Sequence, residues 1–195
     1  MDREDDMEPL TRETVMKKVE KGESLSGVNL SQADLSYSNL KKGDFSGANL
    51  NGAHLQNANL EGANLQGANL ENAFLFGSNL KDVNLEGASL QGTNLQDTNL
   101  EGASLKGTDL SNLSLFGAQL DGANLEGAIL ARAKLKRASF IGANLKNADL
   151  TSAHLQRAVL KKADLSGANL KGANLRNADL TDAKVEGTNF EEILE

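Results

Sequence analysis

Large apolar residues recur at every fifth position along most of the chain. Each of the 34 residues whose number ends in 5 or 0, from Leu25 to Phe190, is Leu, Phe or Val. A small residue stands two positions earlier, and it is Ala in 23 of the 34 cases. Asn or Asp most often stands between the two, so the repeating unit reads Ala-Asn/Asp-Leu-x-x.

This period fits neither a helix nor a flat strand. Five residues advance an α-helix by about 500°, so successive Leu side chains would circle its axis without forming an apolar stripe. In a strand, an odd spacing would send alternate Leu side chains to opposite faces. A chain that buries every fifth residue needs a bend in each unit, and repeated bends predict a coil of parallel walls.

Glycine indicates how many units complete one coil. When the units are sorted by position modulo 20, the series that begins with Leu25 has Gly two residues later in eight of nine units. The other three series have Gly there far less often. The modulation predicts four units per coil, with one corner most in need of a positive φ.

The stretches ANLEGANLQGANLENA and ADLSGANLKGANLRNADL resemble the pentapeptide-repeat family. The resemblance covers residues 25–190 without interruption. It implies an all-β fold, a right-handed quadrilateral parallel β-helix of about 8.5 coils of twenty residues. Coils spaced about 4.8 Å apart would make a rod roughly 35–40 Å long.

The chain divides into four predicted segments. Residues 1–9 carry five acids and one Arg and are expected to be a disordered tail. Residues 10–22 are expected to form a short capping helix that begins at Thr11, a residue type suited to the N-cap. Residues 23–190 form the β-helix, and 191–195 form a C-terminal cap.

The last coil is expected to need a partner, because solenoid ends expose their interiors. We expect an end-to-end homodimer through Val185, Phe190, Ile193 and Leu194.

Two features of the repeat leave local structure open. The Asn/Asp side chain either bonds the local backbone or stacks as a ladder between coils. Leu113 replaces the small residue next to Thr93 in the same predicted column, which predicts a local bulge or outward bow.

No pattern of catalytic or ligand-binding residues is found. His54 and His154 lie five predicted coils apart, about 24 Å, so they cannot share a metal ion. The chain has no Cys, and its spaced glycines lack the context of a phosphate-binding loop. We expect no enzyme activity, no cofactor and no metal.

Surface patches are better candidates for function. Phe74, Phe76 and Phe116 occupy outward positions on one face and form a candidate site for a protein partner, unless they simply pack on one another. Basic residues load the C-terminal half but are spread over three faces: Arg132, Lys134, Lys136, Arg137, Arg157, Lys161, Lys162, Lys171 and Arg176. The aromatic residues lie elsewhere along the rod, so nucleic-acid binding is not favoured.

Three functional hypotheses follow. The first is a rigid, non-enzymatic module that binds an unidentified protein; a purely structural role is another. The third comes from the resemblance, since some family members protect DNA gyrase from quinolones by imitating duplex DNA. The net charge of −7 falls to −3 once residues 1–9 are set aside, which is weak for such imitation. Without a membrane-spanning run or a basic leader, the sequence predicts a soluble, cytoplasmic protein.

Overall fold

The computed structural model describes residues 10–195, and the predicted acidic tail lies outside the described residues. These residues contain one α-helix, α1, at Arg12–Glu20. Thr11 is its N-cap, as predicted, and its side chain accepts a hydrogen bond from the Thr14 amide at 3.2 Å. Val15 is fully buried in the apolar core, and Met16 packs against that core. The helix is therefore continuous with the core of the repeats.

The rest of the described chain winds into coils of twenty residues. Parallel β-bridges join residues twenty apart, from Asn29–Asn49 at one end to Asn174–Leu194 at the other. Each bridge is a single residue, and no longer strand forms within residues 10–195, because a turn interrupts the extended backbone in every unit. Four pentapeptides thus complete one coil, as the glycine pattern predicts.

The four units of each coil form four walls, named here by their inward Leu series. Walls 1, 2, 3 and 4 begin with Leu25, Leu30, Leu35 and Leu40, and each continues at intervals of twenty. The inward Leu and Ala side chains are almost completely buried through most of the rod. Burying a Leu side chain contributes about 1.5–3 kcal/mol, so these columns are the main source of cohesion.

All four corners use the same turn, which corrects the expectation that one corner most needs a positive φ. Every residue whose number ends in 2 or 7, from Gly22 to Glu192, has a φ between 53° and 74°. The turn closes with a backbone hydrogen bond such as Ala48 N–H to Phe45 carbonyl, 3.0 Å. Asn, Asp and several longer residues adopt this conformation beside Gly, so φ alone does not explain the glycine-rich corner.

The Asn side chains combine the two roles that the sequence leaves open. The Asn49 Oδ1 accepts a hydrogen bond from the Asn51 amide at 3.1 Å, which fixes the turn. The Asn49 Nδ2 donates to the Asn29 Oδ1 at 3.1 Å, which joins the coil to the preceding one. Asn79 repeats both contacts, with the Lys81 amide and with Asn59. The Asn position therefore stabilises both the corner and the stack.

A break in the backbone ladder lies close to Leu113, but on the neighbouring wall 2; in the wall of Leu113 itself the Asn94–Ser114 bridge is kept. The Ser89–Asp109 bridge is the one missing from an otherwise regular series within the described residues. Five coil-to-coil hydrogen bonds that the pattern requires are also missing there. Each would join the amide of the first residue to the carbonyl of the second in these pairs: Gly87 and Lys106, Leu90 and Asp109, Gly92 and Ser111, Asp109 and Ala88, and Ser114 and Thr93. We call this break the wall 2 seam.

Residues 191–194 continue the coil, although the sequence assigns 191–195 to a cap. The Leu194 amide donates to the Ala173 carbonyl at 2.9 Å, and the Leu175 amide donates to the Leu194 carbonyl at 2.7 Å. Leu194 occupies an outward position above Asn174 because it keeps the five-residue register. These residues lengthen a wall and leave the end of the last coil uncovered.

Candidate functional site

Wall 3 carries every outward-facing Phe and Tyr side chain of the described chain. These are Tyr37, Phe74, Phe76 and Phe116. The remaining three Phe residues occupy inward positions. Phe74 and Phe76 are 44% and 43% exposed, which is unusual for large apolar side chains on a rod whose other residues are mostly polar. The structure therefore places the three predicted partner-site residues on one wall.

The aromatic rings contact basic or imidazole groups more closely than one another. The centroids of the His54 and Phe74 rings are 4.9 Å apart, at an interplanar angle of 39°. The Arg137 guanidinium lies 5.8 Å from the centroid of the Phe116 ring, within the range of a cation–π contact. Between Phe76 and Phe116, Gln96 donates from Nε2 to the Ser114 Oγ at 2.7 Å.

A shallow depression of about 300 Å³ surrounds Phe116. Its lining combines one aromatic ring, two ammonium groups, an imidazole, two amides and a hydroxyl: Phe116, Lys134, Lys136, His154, Gln96, Gln156 and Ser114. The Gln156 Oε1 is buried in the wall and accepts no hydrogen bond from a described residue. The depression thus offers an apolar surface beside several hydrogen-bond donors.

The charge of wall 3 is opposite to that of the other walls. Among residues 24–192, its outward positions hold five basic and two acidic residues, a net charge of +3. The same count gives −2, −3 and −1 for walls 1, 2 and 4. The five basic residues of wall 3 are Lys134, Lys136, Arg137, Arg157 and Arg176. The positive wall is also the aromatic wall.

The basic residues of wall 3 also differ in their pairing. On the other walls, seven of the nine lysines pair with acids in an adjacent coil, as in Lys41–Glu61 at 2.9 Å and Lys106–Glu126 at 3.2 Å, whereas Lys42 and Lys162 do not. In the part of the chain that the structure describes, none of the five basic residues of wall 3 lies within 4.0 Å of a carboxylate oxygen. Their charges remain available to an anionic partner.

Two parts of the sequence-based interpretation need correction. The nine basic residues named from the sequence do lie on three walls, but five of them lie on wall 3, and the other three basic residues of the C-terminal half, Lys106, Lys146 and Lys184, lie on wall 1. The aromatic residues do not all lie elsewhere along the rod, because Phe116 borders Lys134, Lys136 and Arg137. The outward positions share the period of twenty that the glycines show, and this period alone groups these residues on one wall.

In the N-terminal part of wall 3, a basic residue of α1 neutralises the charge of Asp34. Arg12 of α1 forms an ion pair with Asp34 at 2.6 Å and donates from Nε to the Asp34 carbonyl at 3.1 Å. Hydrogen bonds from Ser36, together with Arg12, lower the pKa of Asp34 to about 2. A second depression, of about 400 Å³, lies here and includes Tyr37 and Phe76. Free positive charge is therefore confined to the C-terminal half of the wall.

The open end of the last coil forms a separate apolar surface. A depression of about 660 Å³ is lined by Val185, Phe190 and Ile193, together with Leu175 and Leu180. Val185 is 42% exposed. Leu194, the fourth residue of the predicted dimer contact, does not line this depression, because it lies on the outer side of wall 3.

The described residues contain neither a cluster of metal-binding side chains nor a membrane-spanning helix. No group of three or more His, Asp or Glu side chains in residues 10–195 is placed to hold a metal ion. His54 and His154 share wall 3 but lie in different depressions. No helix in the same range is long and apolar enough to cross a membrane.

The coil and its repeating turns define a class of β-solenoid, and a family comparison identifies it. The model for pentapeptide repeats matches in eight copies, over residues 24–52, 44–82, 78–112, 118–157 and 153–191. The chain belongs to the pentapeptide repeat family. Proteins of this family are generally non-enzymatic structural or interaction modules.

Solved structures support the same assignment. The crystal structure of HetL, a pentapeptide repeat protein involved in heterocyst differentiation regulation from the cyanobacterium Nostoc sp. Strain PCC 7120, is 32% identical in sequence. The match covers 88% of this chain and 86% of HetL, with a TM-score of 0.68. These likenesses imply that the β-helix is right-handed.

A second solved structure shares the fold alone. QnrB1, a plasmid-mediated fluoroquinolone resistance protein, is 16% identical over 77% of this chain and 90% of its own, with a TM-score of 0.54. Among curated proteins, no sequence matches this chain.

Proposed function

We propose that this protein is a non-enzymatic interaction module that uses its β-helix as a rigid display for another protein. In this proposal the rod is the right-handed quadrilateral β-helix that the sequence predicts, capped by α1. The observation that carries the proposal is the concentration of exposed aromatic and unpaired basic residues on wall 3. Solenoids commonly bind partners through such extended surfaces.

The packing of the rod supports this proposal over catalysis. Inward side chains fill the coils, with most Leu residues 0–2% exposed, and the depressions on the walls are shallow. Catalysis needs convergent groups in a site that excludes water. A binding surface needs only a fixed arrangement of side chains, which the ladder of backbone hydrogen bonds supplies.

A pull-down with the full chain tests the proposal. The variant Phe76→Ser with Phe116→Ser removes two wall 3 rings, and Ile129→Ser with Ile141→Ser is the matched control on walls 2 and 4. Ile129 and Ile141 are 40% and 42% exposed, so the control removes similar apolar surface. We expect a partner that the wild type and the control retain and the Phe variant loses. Equal retention by all three proteins would contradict a role for the aromatic residues.

We also propose that two chains associate end to end through the last coil. The support is the apolar depression lined by Val185, Phe190 and Ile193, which leaves core-type side chains in contact with water. Sedimentation at high micromolar concentration should show a dimer for the wild type and a monomer for Phe190→Asp. A wild-type monomer at that concentration would contradict this contact, and would leave the wall 3 proposal unaffected.

Gyrase binding by imitation of DNA is the alternative, and the charge distribution does not favour it. Such imitation needs a continuous negative field. Here walls 1, 2 and 4 pair many acids with lysines, and wall 3 is positive. In a gyrase supercoiling assay, with and without a quinolone, we expect no effect at micromolar protein. Protection of supercoiling activity would restore the alternative.

A further inference from the structure

We propose that wall 3 binds a linear protein segment in which an apolar stretch adjoins an acidic stretch. This inference rests on the proposed function and names the chemistry of the partner. The apolar stretch would cover Phe74, Phe76 and Phe116, and the acidic stretch would lie along the basic residues that follow them toward the C-terminus.

The first argument for this proposal is the order of the aromatic and basic side chains along wall 3. Phe74 and Phe76 lie in one coil, Phe116 lies two coils further on, and Lys136 lies one coil beyond Phe116. Arg157 and Arg176 continue in the next two coils. An apolar half therefore meets a basic half at Phe116, where Arg137 already lies 5.8 Å from the ring centroid.

The second argument for this proposal is the unpaired positive charge on wall 3. Lys134, Lys136 and Arg137 are exposed and have no described carboxylate within salt-bridge distance, whereas seven of the nine lysines on the other walls have carboxylate partners in adjacent coils. An acidic segment would supply the missing partners. Complementary charge mainly increases the rate and specificity of association, and salt weakens it.

The depression at Phe116 provides a place where the two halves of a segment would meet. Its lining brings Lys134 and Lys136 beside the ring, and the buried Gln156 Oε1 lacks a donor among the described residues. This oxygen is enclosed by the wall, so the groups that the depression presents to a segment are the Phe116 ring and the two ammonium groups.

The distribution of charge also favours protein over single-stranded nucleic acid. A nucleic acid carries charge along its whole length, and its binding groove interleaves aromatic and basic residues. The aromatic half of wall 3 has no free basic residue among those described, since Arg12 is paired with Asp34, and Asp97 adds a negative charge. A segment with separate apolar and acidic parts matches both halves.

The length of the surface sets the size of the segment. Phe76 and Arg176 are five coils apart, about 24 Å at 4.8 Å per coil. This distance corresponds to about 7 residues of extended chain or about 16 residues of α-helix. A peptide of 16 residues is long enough to cover the surface in either conformation.

Selection from a display library of random 16-residue peptides on the immobilised full chain tests the proposal. We expect the enriched peptides to carry an acidic run beside an aromatic or aliphatic run. One enriched peptide is then synthesised, and its affinity is measured by fluorescence anisotropy. Enriched peptides without an acidic run, or no enrichment over an empty surface, would overturn the proposal.

Matched charge variants locate the binding surface. Lys134→Ser with Lys136→Ser and Arg137→Ser removes three charges from wall 3, and Lys161→Ser with Lys162→Ser and Lys171→Ser removes three from walls 2 and 4. With each exposed pair contributing modestly, we expect about tenfold weaker binding for the wall 3 variant. The control should stay within about twofold of the wild type, given the small energies of exposed charges. Equal weakening by both variants would show non-specific attraction and overturn the proposal.

Two further arms separate the partner classes. The variant Phe74→Ser with Phe76→Ser should also bind the peptide more weakly. Unchanged affinity would contradict the proposal that the apolar stretch covers these rings. Twenty-residue oligomers of dT and rU serve as nucleic-acid probes, and we expect them to bind more weakly than the peptide. Tighter binding of an oligomer, lost in the wall 3 charge variant, would assign the wall to nucleic acid. A pull-down partner that depends on another wall would refute this inference and leave the module proposal in place.

Discussion

Leu113 lies one coil above Thr93 in the inward column of wall 3, at the edge of the wall 2 seam. The rest of the column, from Ala33 to Ala173, is Ala. Both side chains are buried, with Leu113 4% and Thr93 3% exposed. We infer that two oversized neighbours in a column built for Ala cause the seam beside them, since close-packed interiors have no spare volume.

Amide hydrogen exchange should locate the wall 2 seam. We expect the amides of Leu90 and Gly92 to exchange faster than those of Leu70 and Gly52, which donate to the next coil at 2.8 Å each. The variant Leu113→Ala should slow exchange at Leu90, because the coils can then approach. The control is Thr108→Ala, which shortens a second large inward side chain in the coil of Leu113. Protection of Leu90 equal to that of Leu70 in the wild type would contradict the seam.

A pair of glycines separates the effect of φ from the effect of space. Gly67 and Gly77 both have a φ of 66°, but a Cβ at Gly77 would lie 2.6 Å from the Asn57 Oδ1, whereas a Cβ at Gly67 would meet nothing within 4 Å. Gly67→Ala should cost about 1–2 kcal/mol, the usual penalty for left-handed backbone. Gly77→Ala should cost more, measured by thermal or denaturant unfolding.

The double variant Gly77→Ala with Asn57→Gly tests the cause of that excess. Removing the Asn57 side chain should return the loss to the level of Gly67→Ala. An equal loss for both single variants, or no recovery in the double variant, would show that the contact with Asn57 is unimportant.

Asp164 makes the rod sensitive to strong acid. Its Oδ1 accepts hydrogen bonds from the Ser166 Oγ at 2.7 Å and the Ser166 amide at 3.1 Å. The Ser166 hydrogen bonds and the nearby Lys146 charge lower the pKa of Asp164 to about 2, against the opposing effect of burial. A lowered pKa contributes stability above the unfolded pKa of about 4, and this contribution is lost as the pH falls toward 2.

The variant Asp164→Asn checks this contribution. Its melting temperature should be lower than that of the wild type at pH 7, and the difference should shrink as the pH falls from 4 to 2. Circular dichroism melts across this range measure it. A difference that stays constant from pH 7 to pH 2 would show that ionised Asp164 does not stabilise the fold.

The period of five and its modulation by twenty predicted most of the fold. Thr11 as the N-cap and four units per coil both follow from local rules of sequence. The shared turn of all four corners was not predictable from glycine, because Arg132 and Lys162 adopt the same φ when the stacked coils impose it. Local propensity cannot show how much strain the surrounding structure offsets.

The candidate site was predictable in part. Phe74, Phe76 and Phe116 follow from outward positions in the repeat, and the structure places them on one wall. The depression around Phe116 was not predictable, because its shape depends on the conformations of neighbouring side chains such as Gln156. The pairing of lysines on other walls, which makes the basic residues of wall 3 distinctive, also required coordinates.

The coil of twenty residues is the central claim, because it alone brings the aromatic and basic residues onto one wall. The chain has no Cys, so spin labels at Gln56→Cys and Arg176→Cys occupy only those sites. These residues are 120 positions apart, which is six coils and about 29 Å. A pulsed electron paramagnetic resonance measurement should give a single distance near about 29 Å, within the spread of the labels. A distance near about 38 Å, expected for three units per coil, or a broad distribution would contradict the account.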